Sequence, residues 1–126
     1  MEQTIAGFAR EGGVGVETVR YYQRRGLLPV PRKSGGIRRY GQEDLRRLRF
    51  IRTAQDAGFT LEEIGELLAL EATGDRRRVR ALAATRIAAL DAKIAGLNAA
   101  RDRLSKLARQ CAAGTRGPCP ILSAFE

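Results

Sequence analysis

The sequence contains no histidine, one methionine and only two cysteines among its 126 residues. Without histidine, a Ser-His-Asp triad, a histidine-ligated metal site and a histidine acid–base relay are excluded. The two cysteines, Cys111 and Cys119, are too few for the usual four-ligand zinc site in one chain. A reducing cytosol also argues against a structural disulfide between them. Because a glycine-rich phosphate loop is missing as well, we predict that the protein is not an enzyme.

Long hydrophobic runs are also missing. No apolar stretch approaches the 18 residues that a membrane-spanning helix needs, and the N-terminus lacks the basic region and apolar core of a signal peptide. With 44% hydrophobic and 29% charged residues, the composition is typical of a folded chain of one domain's length. We therefore expect a soluble, cytoplasmic protein without a membrane partner.

The net charge of +9 is concentrated in about a quarter of the sequence. Between residues 20 and 52 the only acidic residues are Glu43 and Asp44, whereas the rest of the chain is balanced. The basic residues of this window are Arg20, Arg24, Arg25, Arg32, Lys33, Arg38, Arg39, Arg46, Arg47, Arg49 and Arg52. Such a cluster indicates a polyanionic partner such as nucleic acid. A solvated basic face is the alternative.

Two short helices flank a glycine turn near the N-terminus. We predict helices over 5–10 and 15–25, as in a helix-turn-helix whose second helix enters a DNA major groove. Helical periodicity turns Val16, Val19 and Tyr22 inward. It leaves an outward set, namely Thr18, Arg20, Tyr21 and Arg25. A purely structural helical hairpin is the alternative at this point.

A small hairpin, or wing, is predicted after the second helix. The segment LLPVPRKSGGIRRYG has two prolines and a Ser-Gly-Gly turn between short extended pieces. Four cations surround the turn, namely Arg32, Lys33, Arg38 and Arg39. A glycine tip allows close approach to a phosphate, and guanidinium groups bond its oxygens.

The remaining sequence is predicted to be mostly helical. A third helix covers 42–57, a fourth begins at Thr60 with capping-box spacing to Glu63, and a long helix of about 54 Å covers 75–110. The long helix has a coiled-coil seam with Arg101 at one apolar position, and its seven-residue ladder is Leu90, Leu97, Leu104 and Cys111. A lone helix cannot bury such a seam, so a second copy of the chain is the expected partner.

The segment CAAGTRGPCPILSAFE after the long helix is predicted to be a loop, because glycine and proline are frequent in it. A loop with Cys111 and Cys119 near its ends can bring both sulfurs to one ion. Thiolates select soft metals such as Cu(I), Ag(I), Au(I), Hg(II) or Zn(II). Two incidental thiols, or a reversible redox pair, are the alternatives.

Several motifs together resemble the MerR family of metal-responsive transcriptional regulators. They are TIAGFAR, GVGVETVRYYQRRGLL, GGIRRYGQEDLRRLRFIR, AGFTLEEIGELLAL, the long helix and the Cys-x7-Cys-Pro-Ile-Leu ending. The resemblance implies a mainly α fold, with a winged helix-turn-helix DNA-binding domain over 1–71. A dimerisation helix over 72–110 would form an antiparallel coiled coil in a homodimer, and a metal-binding loop and tail would cover 111–126.

The same resemblance implies which residues contact DNA and what the dimer does. Thr18, Arg20, Tyr21 and Tyr22 match the recognition helix, and Arg38 and Tyr40 match the wing motif. They would bind phosphates and position the dimer on promoter DNA. The metal-free dimer would repress, and the metal-bound dimer would distort an overlong promoter spacer so that RNA polymerase can use it.

The metal expected from the resemblance depends on which residues are compared. Gln23 and the IRRYG wing are similar to those of mercury regulators, which favours Hg(II). Mercury, lead, cadmium and zinc members, however, use a further cysteine where this chain has Arg76. We therefore expect Cys111 and Cys119 to bind a Cu(I)-, Ag(I)- or Au(I)-type ion, with an Hg(II) regulator and a thiol redox sensor as alternatives. A coiled-coil adaptor would leave the basic window unexplained.

Overall fold

The computed structural model describes residues 2–114 and 116–124 of the chain. Its elements, in chain order, are α1 (Ile5–Glu11), α2 (Val16–Arg24), β1 (Lys33–Ser34), β2 (Ile37–Arg38), α3 (Gln42–Asp56), α4 (Leu61–Glu71), α5 (Arg76–Ala113) and α6 (Pro120–Ala124). The mainly α class and the helix-turn-helix with a wing are as predicted. The chain divides into two compact units, Met1–Arg86 and Ile87–Glu126. The predicted domain limits at residues 71 and 110 stay a prediction.

Helices α1 to α4 share one hydrophobic core in the first unit. Each contributes at least one side chain with no exposed area, namely Phe8, Val19, Leu48, Ile51 and Ile64. Helix α4 begins where the sequence predicts, because Thr60 Oγ1 accepts from the backbone N–H of Glu63 and Glu63 accepts from that of Thr60. This core holds α2 and the hairpin in place.

Strands β1 and β2 form the predicted hairpin, with Lys33 opposite Arg38. The two turn residues, Gly35 and Gly36, have φ angles of 60° and 80°. A two-residue turn with positive φ at both positions is the type I′ geometry, which matches the twist of the strands and favours glycine. The base of the hairpin is fixed to the N-terminus, because Gln3 and Tyr40 exchange two backbone hydrogen bonds of 2.8 and 2.9 Å.

Helix α5 contains 38 residues. Its apolar stripe is largely bare in the single chain, since Ile87, Ile94 and Leu97 are each more than half exposed and Leu104 is 46% exposed. Leu97 and Leu104 belong to the predicted seam, so the bare stripe is what a dimerisation helix requires. Among residues 2–114 and 116–124, no helix is both long and apolar enough to cross a membrane.

The C-terminal segment is less irregular than the sequence predicts. Helix α5 extends through Cys111 to Ala113, and α6 begins at Pro120, directly after Cys119. Proline suits the first position of a helix because its fixed φ is helical and the N–H it lacks would be unpaired there. The prediction of a loop over all of 111–126 is therefore wrong for Cys111 and for α6. Phe125 and Glu126 lie outside the described residues.

Candidate nucleic-acid interface and thiol site

Helix α2 presents an exposed aromatic side chain between cations. Tyr21 is 40% exposed, and the guanidinium carbons of Arg24 and Arg25 each lie 5.8 Å from its ring centroid. Arg25 also donates to the Tyr21 hydroxyl at 3.0 Å. Arg20 is exposed and paired with Glu17 at 3.1 Å, and Thr18 is half-buried. The outward set predicted for this helix thus lies at the surface or at its margin.

Tyr22 lies in the core instead. Its side chain is only 4% exposed, as the helical periodicity predicts, and its hydroxyl donates to Gln55 Oε1. Burial is the main cause that raises its pKa, and Asp56 and Tyr21 raise it further while Arg52 acts in the opposite direction. In the described chain the Tyr22 ring packs the helix rather than facing outward.

The two wing residues behave differently from each other. Arg38 is exposed on β2, whereas Tyr40 is 2% exposed and stacks on Phe8 with 4.4 Å between ring centroids. Gln23 Nε2 donates to the Tyr40 hydroxyl at 2.9 Å and to the Pro29 carbonyl at 3.3 Å. Gln23 and Tyr40 therefore connect α2 to the base of the hairpin.

A cleft lies between α2 and the hairpin. It has a volume of about 340 Å³, and three cationic side chains contribute to its lining, namely Arg20, Lys33 and Arg38. Three cations at one concave surface favour an anion, and a DNA phosphate has the required charge. The cleft joins the recognition helix and the wing into one candidate nucleic-acid interface.

Part of the basic window has a structural role that sequence reasoning missed. Arg47 Nε donates to the Leu27 carbonyl at 2.7 Å, and Arg52 Nη1 donates to the Gly12 carbonyl at 3.1 Å. Both carbonyls follow the ends of helices, where backbone acceptors lack helical partners. The usable sequence signal is that these arginines flank the buried Leu48 and Ile51 on α3. Some arginines of the basic window thus stabilise the fold, and the others are available at the surface.

The two cysteines are close neighbours in the second unit. Cys111 Sγ and Cys119 Sγ are 3.4 Å apart, both thiols are free, and both residues are half-buried. They line a cavity of about 230 Å³ to which Arg116 also contributes. The structure therefore brings the two predicted ligands together.

The two thiols have opposite electrostatic environments. Backbone N–H groups of Leu122 and Ile121, together with the Cys111 thiol, lower the pKa of Cys119. The hydrogen bond and the charge of Cys119 raise the pKa of Cys111. Cys119 is therefore the sulfur that ionises first, and the anionic form is the one that binds metals.

The thiol pair passes a simple test of fit to one soft ion. Two metal–thiolate bonds of about 2.3 Å place the sulfurs about 4.6 Å apart when the ion is linear, so the sulfurs, which are 3.4 Å apart, must separate by about 1 Å to bind such an ion and less to bind a bent one. Within the described ranges no cluster of three His, Cys, Asp or Glu side chains could hold a metal. Arg76, at the first position of α5, is exposed. A single chain thus offers two sulfur ligands.

A winged helix-turn-helix, a long helix with a bare apolar stripe and a paired thiol site together define a class of DNA-binding regulators. Residues 3–71 match the family described as MerR HTH family regulatory protein, and residues 45–107 match the one described as MerR, DNA binding. The chain therefore belongs to the MerR family. It is a metal-responsive transcriptional regulator and not an enzyme.

Individual relatives extend this result. The mercuric resistance operon regulatory protein of Serratia marcescens is 41% identical over 125 residues, which cover 98% of this chain and 87% of the relative. A transcription regulator of Ralstonia metallidurans, solved with lead(II), is 34% identical with a TM-score of 0.72, and the match covers 98% of this chain and 99% of the other. HiNmlR, solved on promoter DNA, is 30% identical with a TM-score of 0.71, covering 90% and 89%.

These names bear on the choice of metal. The similarity to mercury-resistance regulators supports the Hg(II) interpretation, and it does not support the preference for copper that the thiol count suggests. The count of sulfur ligands and the overall similarity therefore point in different directions.

Proposed function

We propose that this chain is the subunit of a homodimer that binds promoter DNA and senses Hg(II) through Cys111 and Cys119. The observation that supports the metal site is the 3.4 Å separation of the two sulfurs in one cavity. Mercury is proposed first because of the relatives' names, and soft thiolate ligands suit it. Because the proposed target is promoter DNA, we expect the protein in the cytoplasm.

A second candidate ion is Cu(I), with Ag(I) and Au(I) as ions of the same type. Two thiolates with no third acidic, histidine or cysteine ligand nearby in the described chain favour an ion of low coordination number. Arg76 at the start of α5 also stands where a three-sulfur site would have its third cysteine, and its cationic side chain cannot serve as that ligand.

A competition titration separates the two ions. The homodimer is titrated with Hg(II) and, separately, with Cu(I) against a competing chelator, and one ion per thiol pair is expected. Cys111→Ser and Cys119→Ser should each abolish tight binding, whereas the neighbouring Ser123→Ala variant should bind normally. Unchanged metal affinity in both cysteine variants would contradict the thiol site. Tight binding of Cu(I) but not of Hg(II) would show that the sensed ion is Cu(I).

The DNA interface that we propose consists of side chains that reach the surface of α2 and the hairpin. These are Thr18, Arg20, Tyr21 and Arg38. Tyr22 and Tyr40, which the resemblance includes, support them from the core, since their rings are buried and their hydroxyls are hydrogen-bonded within the chain. The cationic cleft between α2 and the hairpin supports binding of a phosphate.

Salt dependence tests this interface. The affinity for a mixed-sequence duplex should fall linearly with salt on a log–log plot, and Arg38→Ala should reduce the slope by about one for each phosphate contact that is lost. Arg80→Ala, on an exposed part of α5, is the matched control and should retain the slope. Absent or salt-insensitive binding by the wild-type dimer would contradict the proposal.

The regulatory action that we propose is repression without metal and activation with metal. The metal-bound dimer distorts the promoter spacer so that RNA polymerase engages both promoter elements, and the distortion energy contributes to specificity. Run-off transcription with and without Hg(II) tests this step. An identical transcript yield in both conditions would contradict it, even if metal and DNA both bind.

A thiol redox sensor is the competing function, and the short distance between the sulfurs favours it. A disulfide requires about 2.05 Å between sulfurs, which a small movement from 3.4 Å would reach. Counting free thiols after peroxide treatment distinguishes the two functions. Rapid loss of both thiols, together with weak metal binding, would favour the redox sensor.

A further inference from the structure

The beginning of α5 contacts α4 through two arginine–glutamate pairs. Arg78 forms a forked contact with Glu66, with nitrogen–oxygen distances of 2.8, 3.0 and 3.2 Å. Two turns further along α5, Arg86 lies 3.9 Å from Glu63. Residues four apart share one face of a helix, so Leu82 lies between the two arginines on that face, and it is buried. We call these five residues the α4–α5 clasp.

Arg86 has the larger number of contacts. Its guanidinium carbon lies 5.8 Å from the Phe59 ring centroid. It also crosses Gly58, where φ is +94° and an added Cβ would lie 2.9 Å from Arg86 Nη1. Arg86 thus contacts the turn between α3 and α4 as well as the first turn of α4. Its Nε is buried and lacks a hydrogen-bond partner among the residues that the structure describes.

The ion pairs of the clasp fix the orientation of two helices more than they add to the stability of the fold. Ion pairs at a protein surface contribute little to stability, and the side chains of Arg78 and Glu66 are 51% and 36% exposed. A forked guanidinium–carboxylate contact does, however, fix the relative orientation of its two partners. The Arg78–Glu66 contact on one side of the buried Leu82, and the longer Arg86–Glu63 approach of 3.9 Å on the other side, fix how the first turns of α5 lie against α4.

We propose that Arg78 and Arg86 are positioning residues that transmit metal binding to the DNA-binding helices. This inference rests on the proposed function. Helix α5 carries Cys111 in its last turn and the clasp in its first three turns, so a change in the helix that accompanies metal binding reaches α4 through these two pairs. We expect replacement of either arginine to leave the metal affinity of the two cysteines unchanged.

Hydrogen exchange on the intact homodimer, with Hg(II) as the probe, tests this inference. In the wild type, Hg(II) should change exchange both around Cys111 and Cys119 and in α2 and α4. In Arg86→Met, the change in α2 and α4 should be lost while the change around the cysteines is retained. Arg80→Met, an exposed arginine on the same helix, should behave like the wild type.

A charge exchange gives a second readout that a general loss of packing would not produce. Arg78→Glu should lose the response of α4, and the double variant Arg78→Glu with Glu66→Arg should recover it. If wild-type exchange around the cysteines does not respond to Hg(II), the proposed function fails. If the cysteines respond but α4 does not, or if α4 responds equally in Arg86→Met, the clasp proposal alone is overturned.

Discussion

Arginine side chains on α3 show how residues of one type take different roles. Arg47 and Arg52 donate to backbone carbonyls, and Arg46 pairs with Glu43 and Glu71 across 3.0 and 3.1 Å. Arg49 is exposed and makes no hydrogen bond or ion pair in the described part of the chain. Composition counts all of them equally, although an arginine that is held by backbone carbonyls of the fold is less available to a phosphate than an exposed one.

We expect Arg47→Ala to destabilise the protein. The substitution removes a charged donor from the Leu27 carbonyl, and such bonds contribute about 1.5 kcal/mol to the free energy of unfolding. Arg49→Ala is the matched control and should change this free energy by less than about 0.5 kcal/mol. Urea denaturation measures both, and equal stability of the two variants would contradict the structural role of Arg47.

Substitutions of the two adjacent tyrosines of α2 should also have different effects. Tyr22→Phe leaves Gln55 without its partner and should cost about 1 kcal/mol of stability, with little effect on DNA affinity. Tyr21→Ala should have the opposite effect, because Tyr21 is exposed beside two cations. Thermal melts and gel shifts on the same samples provide the comparison. A loss of DNA affinity in a stable Tyr22→Phe dimer would contradict this and would indicate that Tyr22 contacts DNA.

At the scale of elements, α4 depends on its capping box. Thr60→Ala removes the acceptor of the Glu63 N–H, and loss of a threonine cap costs about 1 kcal/mol. The expected result is a lower urea midpoint with an unchanged denaturant slope. Thr53→Ala, an exposed position in the interior of α3, is the control and should be close to wild type.

The carboxylate of the same box predicts a dependence on pH. The Thr60 N–H holds the pKa of Glu63 below its usual value of 4.5, and Arg86 lowers it further. A group whose pKa is lower in the folded state stabilises the fold above its unfolded pKa, and this contribution is lost as pH falls through the folded value. The wild type should therefore be more stable than Glu63→Gln at neutral pH, and this difference in the free energy of unfolding should disappear below about pH 4.5 in urea denaturation. An equal stability difference at pH 7 and pH 3 would contradict this.

Much of the architecture could be predicted from local sequence signals. Most limits of α1 to α4 lie at or next to glycines, and α1 and α4 begin after the threonine caps Thr4 and Thr60, because these residues determine where helical hydrogen bonds stop. Helix α6 could not be predicted, since proline and glycine near Cys119 indicate irregular structure unless the proline falls at the first helical position. The helical periodicity correctly predicts that Tyr22 is buried. Contacts between distant segments, such as that of Arg47 with Leu27, could not be predicted, because no periodic pattern in the sequence indicates them.

At the scale of the whole molecule, the bare stripe of α5 predicts an obligatory partner. Leu97 is 63% exposed in the single chain. Leu97→Glu would bury an unpaired carboxylate in the interface at a cost of at least about 2 kcal/mol, which raises the dimer dissociation constant about 30-fold or more. Analytical ultracentrifugation measures the effect, with Asn98→Glu as an exposed control beside it. A Leu97→Glu protein that remains fully dimeric would contradict the seam.

The exposed stripe on α5 also makes the regulator sensitive to its own abundance. When a folded arm exists only in pairs, the fraction of chains in the working form depends on their total concentration by mass action. Diluting the protein should therefore weaken the response more than in proportion to the number of molecules lost. A cell that produces few copies would have a higher threshold for its signal, and gene dosage would set this threshold together with the chemistry of the two sulfurs.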